Sequence, residues 1–176
     1  MILLATRVVA QQATPIPADI SADSYDLYSV ILKDVKVIAI DARANWEIGR
    51  VTKCVDPKSD EDREMLAKAE DLAKKDYIWE PKFKFGHEYR FVTKEEMNNK
   101  FCQPRSDGGC VPVLGGTETI YLLSVPSFNK DHARALVSID AICGGLCGGG
   151  KFRVYRKTKD GWIGEDNSFA KCVWNY

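Results

Sequence analysis

The densest concentration of reactive side chains is Ile142-Cys143-Gly-Gly-Leu-Cys147-Gly-Gly-Gly-Lys151, two thiols and five glycines running into a cation. Within it, Gly145-x-x-x-x-Gly150-Lys151 approaches the phosphate-cradling loop whose backbone amides surround a triphosphate. The position that should hold a magnesium-binding hydroxyl is Phe152, and Phe152, Val154 and Tyr155 favour a strand where that motif needs a helix N-terminus. Nucleotide binding is set aside. A thiol redox site would want C-x-x-C spacing and an activating helix N-terminus or cation; here the spacing is C-x-x-x-C in β context, with Lys151 as the nearest cation. Nucleophilic catalysis by Cys143 or Cys147 would need His132 as base and Asp140 to orient it. If 133–142 is a strand, His132 lies at its far end, roughly 35 Å of extended chain from Cys143. The structural alternative is a wide hairpin loop, with glycines supplying unusual dihedrals and the cysteines pinning it.

Immediately after this loop, Lys151, Arg153, Tyr155, Lys157 and Lys159 alternate with Phe152, Val154 and Arg156. Strand periodicity puts the first set on one face. That face reads either as ordinary solvated sheet or as a basic surface for an anionic partner, such as a polysaccharide, a lipid headgroup or an acidic protein, with Lys151, Arg153, Tyr155 and Lys157 as the candidate ligand-binding residues. Carboxylate pairs such as Asp60/Asp62 and Glu95/Glu96 sit at expected helix starts, where caps and the helix dipole account for them. Trp46, Trp79, Trp162 and Trp174 read as core or rim residues.

Six cysteines accompany only two histidines. No C-x-x-C pair occurs, and His87 and His132 are not at ligand spacing, so no metal and no cofactor is expected. Disulfides are the default if the chain is exported. Local spacing suggests Cys102 with Cys110 and Cys143 with Cys147, leaving Cys54 for Cys172, one of fifteen possible connectivities.

The elements that must position these groups are legible in outline. Ser21 precedes Tyr25, Tyr28 and Leu32 at helical spacing, predicting a helix over 22–33. Residues 35–41 are β-branched and read as a strand. Ser59 and Asp62 form a capping-box start for a helix over 60–76, with Met65, Leu66, Ala69, Leu72 and Ala73 on one face. Residues 83–93 read as a strand, and Thr93 with Glu96 opens a short helix around Met97. The stretch 102–116 is loop by composition. Beyond it the texture is β: 119–125, 133–142, 151–157 and 162 onward, with Asp160-Gly161 as a hairpin turn. Helices first and strands later point to an α+β fold, an antiparallel meander of four to five strands packed against two or three helices.

With 176 residues, the chain suits one domain, expected over 21–176, preceded by a flexible arm or signal remnant at 1–20. Val8-Val9-Ala10 offers a signal-cleavage pattern, although Arg7 interrupts the apolar stretch. No run approaches the roughly 20 apolar residues of a membrane span. The 25 basic and 25 acidic side chains leave no net charge, which removes a global electrostatic motive for nucleic acid. The balance is local: residues 1–80 carry 11 basic and 15 acidic groups, and 81–176 carry 14 and 10.

Ser127-Phe-Asn-Lys-Asp131, Ala135-Leu-Val137, the Cys143 to Gly150 loop, Arg156-Lys157 and Asp160-Gly-Trp162 together resemble a pattern in small uncharacterised exported bacterial proteins, where two strands flank a C-G-x-L-C-G-x-G loop. The resemblance implies export to the periplasm or exterior and a meander around that loop; it transfers no catalytic residue. The expectation is an exported, disulfide-stapled binding or structural module, the alternative being a thiol or hydrolytic enzyme using residues 143–151.

Overall fold

The computed structural model describes residues 19–36, 38–44, 55–104, 110–112, 119–143, 148–166 and 169–175, with backbone alone for 98, 100–104, 110–112 and 171. All but two residues of the expected arm at 1–20 lie outside this set, as do Trp46, Cys54 and Cys147.

Among the described residues three helices form, two of them on capping boxes. Helix α1 (Ala22–Ile31) buries Tyr25, Leu27 and Tyr28, and the Leu32 N–H closes its last turn on the Tyr28 carbonyl at 3.0 Å. Helix α2 (Asp60–Leu72) starts at the expected capping box: the Asp62 N–H donates to Ser59 Oγ, and the Ser59 N–H to the Asp62 carboxylate, both at 3.1 Å. Thr93 and Glu96 repeat the device at 3.2 and 3.0 Å before α3 (Lys94–Phe101). Each box satisfies amides that the helix itself leaves orphaned.

The expected antiparallel meander of four to five strands gives way to a mixed sheet of eight. The main path runs β10 (Lys171–Asn175), β8 (Gly148–Thr158), β7 (Arg134–Ile142), β5 (Ile120–Leu123), β1 (Ile38–Asp41), β2 (Tyr89–Val92). Short β6 (Ser127–Phe128) lies beside β7, and β9 (Gly161–Gly164) beside β8. Strand β1 is parallel to both of its neighbours, with Ile38 opposite Tyr89 and Ala39 opposite Ile120. A parallel pair needs a crossover of a dozen or more residues, which α2 supplies between β1 and β2. The rest of the sheet is antiparallel. A separate hairpin pairs β3 (Cys102–Pro104) with β4 (Cys110–Pro112), where loop was expected. The glycines also differ from expectation: Gly148, Gly149 and Gly150 belong to strand β8.

Both faces of the sheet are covered. On one, α1 and the aromatic run from Trp79 to Phe91 pack on Ile38, Ile40, Leu123, Val137 and Tyr155; Trp79 meets Tyr25 and Tyr28 edge-on at 5.3 and 5.5 Å. On the other, Met65 and Ala69 of α2 lie on Leu136, Phe152 and Val154, and Met97 of α3 packs against Ala39, Val92 and Ile120. On the basic face of β8, Tyr155 is buried and Lys151 and Arg153 are partly covered, while Lys157 is exposed.

Arg134 ties α2 to the sheet. It donates to both carboxylate oxygens of Glu165 at 3.0 and 2.9 Å, to Asp62 at 3.1 Å, and to Glu61. Its own N–H donates to Asn129 Oδ1 at 2.9 Å, and the Asn129 amide donates to Glu61 at 2.9 Å.

Candidate functional site

Strand register generates a depression on the α1 face. One row across the sheet reads Tyr121, Ala141, Gly149, Asn175 over β5, β7, β8 and β10. The next reads Leu123, Ile139, Lys151, Val173. The first row has a methyl and a hydrogen at its centre, between Tyr121 and Asn175 on strands about 14 Å apart at ordinary spacing, and Asn175 Oδ1 lies 3.0 Å from where a Gly149 Cβ would stand. Helix α1 ends at Ile31 and the chain turns at Leu32 to Val35, so Ile31, Leu32 and Val35 border the gap without filling it. The result is a cavity of about 330 Å³, within the range of small-molecule sites. Val173, 75% exposed, lies on its outer edge.

Glycine at 149 is required by the neighbouring strand as well. A Cβ there would lie 2.3 Å from the Trp174 carbonyl oxygen, so any side chain would drive β10 away. On the opposite face, a Cβ at Gly150 would meet Asp140 Oδ1 at 2.2 Å and the Trp174 ring at 2.3 Å. The Trp174 ring instead lies over Gly150, its Nε1–H donating to Asp140 at 3.0 Å and its centroid 4.8 Å from that of the tilted Phe152 ring. This clamp holds β10, the outer wall of the cavity, against β8.

Three of the residues that line the cavity have polar side chains: Lys151, Tyr121 and Asn175. Burial, with repulsion from Arg153 second, holds the Lys151 ammonium below the ordinary lysine range. Burial pushes the Tyr121 phenol up. Half-burying a cation between Ile139 and Val173 is costly, and among the described residues none supplies a counter-charge; such a group in a cleft is a candidate for a binding site.

Of the four residues expected to bind a ligand, the alternation correctly places all on one face, yet only Lys151 borders the cavity. Tyr155 is core under α1, 7% exposed. Arg153 is paired with Asp166 at 3.3 Å, and Lys157 reaches Asp23 at 3.5 Å while covering the Trp162 ring at 5.5 Å. Tyr121, Ala141, Gly149 and Asn175 were not singled out by sequence, because no single strand contains the row that joins them.

The base and the orienting group that catalysis at Cys143 would need are not brought together. His132 sits in the turn before β7, stacked on Phe128 at 4.8 Å with Nδ1 2.8 Å from Asp23, while Asp140 lies near the other end of that strand under Trp174. Cys143 and Cys172 are both in disulfides. Their expected partners, Cys147 and Cys54, lie outside the described residues, as do the side chains of Cys102 and Cys110. Iodoacetamide without reductant should therefore leave Cys143 and Cys172 unmodified in peptide mass maps; labelling of either in the native protein would sink this assignment. Among the described residues, no group of His, Cys, Asp and Glu could hold a metal ion, and no helix is long and apolar enough to cross a membrane.

No protein-family model, curated protein or solved structure matches the chain.

Proposed function

We propose that this protein is an exported, disulfide-stapled binding module that acts without catalysis and takes a small ligand with an apolar body into the cavity between α1 and strands β5, β7, β8 and β10. The observation that carries the reading is the cavity itself: a floor left open by Ala141 and Gly149, bordered by Ile31, Leu32 and Val35, with a half-buried lysine in it. Sites for small molecules have this composition, mostly apolar with a few placed polar groups. The disulfides at Cys143 and Cys172 support an oxidising compartment. The backbone bridge between Val55 and Ala170, next to Cys54 and near Cys172, supports joining those two cysteines. The hairpin of β3 and β4 supports Cys102 with Cys110. A broad basic surface for an anionic macromolecule is the weaker reading, since Arg153 and Lys157 are already engaged.

The test is Ala141→Leu, which fills the gap from β7 without touching the clamp on β8. Half-buried Ala141 tolerates added bulk at little cost in stability. The fluorescent probe 8-anilinonaphthalene-1-sulfonate should bind the folded wild type and bind the variant about tenfold more weakly or worse. Equal affinities, with near-ultraviolet dichroism showing both proteins folded, would remove the cavity as the site.

A further inference from the structure

Resting on that reading, we infer that the ligand is an amphipathic monocarboxylate, its carboxylate on Lys151 Nζ and its apolar tail along Ile139, Ile31, Leu32 and Val35 toward Val173. Four observations converge on it. First, Lys151 differs from the other cations of its strand face: Arg153 has Asp166 and Lys157 has Asp23, whereas the influences on Lys151 are burial and a like charge. Among the described residues no carboxylate lies within ion-pair distance of it, so a ligand anion would supply the missing counter-charge. Such a charge-assisted hydrogen bond, formed where water is partly excluded, is stronger than its exposed equivalent.

Second, the charge count limits the anion. A phosphate or dicarboxylate would want a second free cation, and the next one along β8, Arg153, has its guanidinium over Gly164 and paired with Asp166. One carboxylate fits one lysine. Third, the surroundings of Lys151 are apolar in both directions across the sheet, with Ile139 on one side and Val173 on the other. Sugars and other polyols would leave their hydroxyls without partners there. Fourth, Val173 is the most exposed of the described large apolar residues, and it lies where the cavity meets solvent. A tail too long for the cavity would cover it, removing apolar surface from water.

The Tyr121 hydroxyl and the Asn175 amide flank the gap in the neighbouring row, about 7 Å along the strands from the lysine. They can donate to the second carboxylate oxygen, directly or through water.

The experiment titrates the full, oxidised chain with decanoate, decanol and decylamine by calorimetry, the two ionic probes below their micellar concentrations and decanol below its solubility limit, in wild type, Lys151→Met and Ala141→Leu. Methionine keeps the apolar stem and deletes the charge, so folding is preserved. Decanoate is expected to bind wild type about tenfold or more tighter than decanol, and decylamine more weakly than either. Lys151→Met should erase the preference for decanoate while leaving decanol within about twofold of its wild-type affinity, and Ala141→Leu should weaken all three. Decanol binding wild type as tightly as decanoate, or a decanoate preference that survives Lys151→Met, would overturn the carboxylate assignment and leave the cavity reading standing. Failure of all three to bind wild type, or undiminished binding by Ala141→Leu, would overturn the cavity reading itself.

Discussion

Arg134→Met should cost about 3 kcal/mol of stability at neutral pH, seen as a lowered urea midpoint, and most of that cost should vanish in acid. The guanidinium, 21% exposed, is the common partner of Glu61, Asp62 and Glu165, whose side chains are 44%, 8% and 19% exposed. Removing it leaves the Asp62 carboxylate buried with fewer donors and two further carboxylates without their cation. A fully buried triad would cost more; the exposure of Glu61 reduces the figure. The pH dependence follows from the carboxyls. Hydrogen bonds from Asn129 and then Arg134 hold Glu61 below its ordinary 4.5. For Asp62, burial pushes the pKa up, but the Lys58 N–H, Ser59 and Arg134 outweigh it and hold it below 3.8. A depressed carboxyl contributes stability that is present above its unfolded pKa and lost as pH falls through the folded one. Wild type and variant should therefore differ fully at pH 7, begin to converge below about pH 4 and meet only as pH falls through the depressed folded-state values. A gap that stays constant down to pH 3 would show that the loss is one of packing, not charge.

Gly150→Ala should be the more damaging of the two for binding. The added Cβ has no room on its own face, where the Trp174 ring and the Asp140 carboxylate already touch the glycine. The ring must lift, which breaks its hydrogen bond to Asp140, a side chain in the buried interior of the sheet at 3% exposure, and parts it from Phe152. Overpacking and a weakened buried hydrogen bond together should cost on the order of 3 kcal/mol. Because Trp174 anchors β10, the cavity loses its outer wall, and probe affinity should fall even at temperatures where the variant remains folded. Hydrogen exchange should localise the effect, with faster exchange in β10 and unchanged protection in β1 and β5. Uniform loss of protection, or probe binding as in wild type, would contradict the clamp.

The helices were legible in the sequence because their caps are local. Ser59 with Asp62, and Thr93 with Glu96, specify a start within four residues, and the structure uses both pairs. Alternation around Lys151, Phe152, Arg153 and Val154 likewise fixed which side chains share a face. Partner choice between strands is what pattern does not encode. The hairpin signals of the second half suggested a meander, while the succession of strand 35–41, helix 60–76 and strand 83–93 already contained the ingredients of a parallel crossover. The depression was hidden for a related reason. It is made by small residues, Ala141 and Gly149, meeting across strands from opposite arms of the loop that drew attention as a chemical motif. Lys151 was found because a cation in alternation is visible; Tyr121 and Asn175 join it only through register.

The parallel placement of β1 has a consequence for the order in which the protein can be made. Ala39 pairs with Ile120, so on the ribosome the Ile38–Asp41 strand emerges several seconds before one of its partners, at about 5–20 residues per second. Strands β7 to β9 form from neighbouring sequence and can zip as soon as they appear. The sheet should therefore assemble from its C-terminal half, with the early strand captured late between β2 and β5, and until then the apolar Ile38 and Ile40 depend on the aromatic run and α1 for cover.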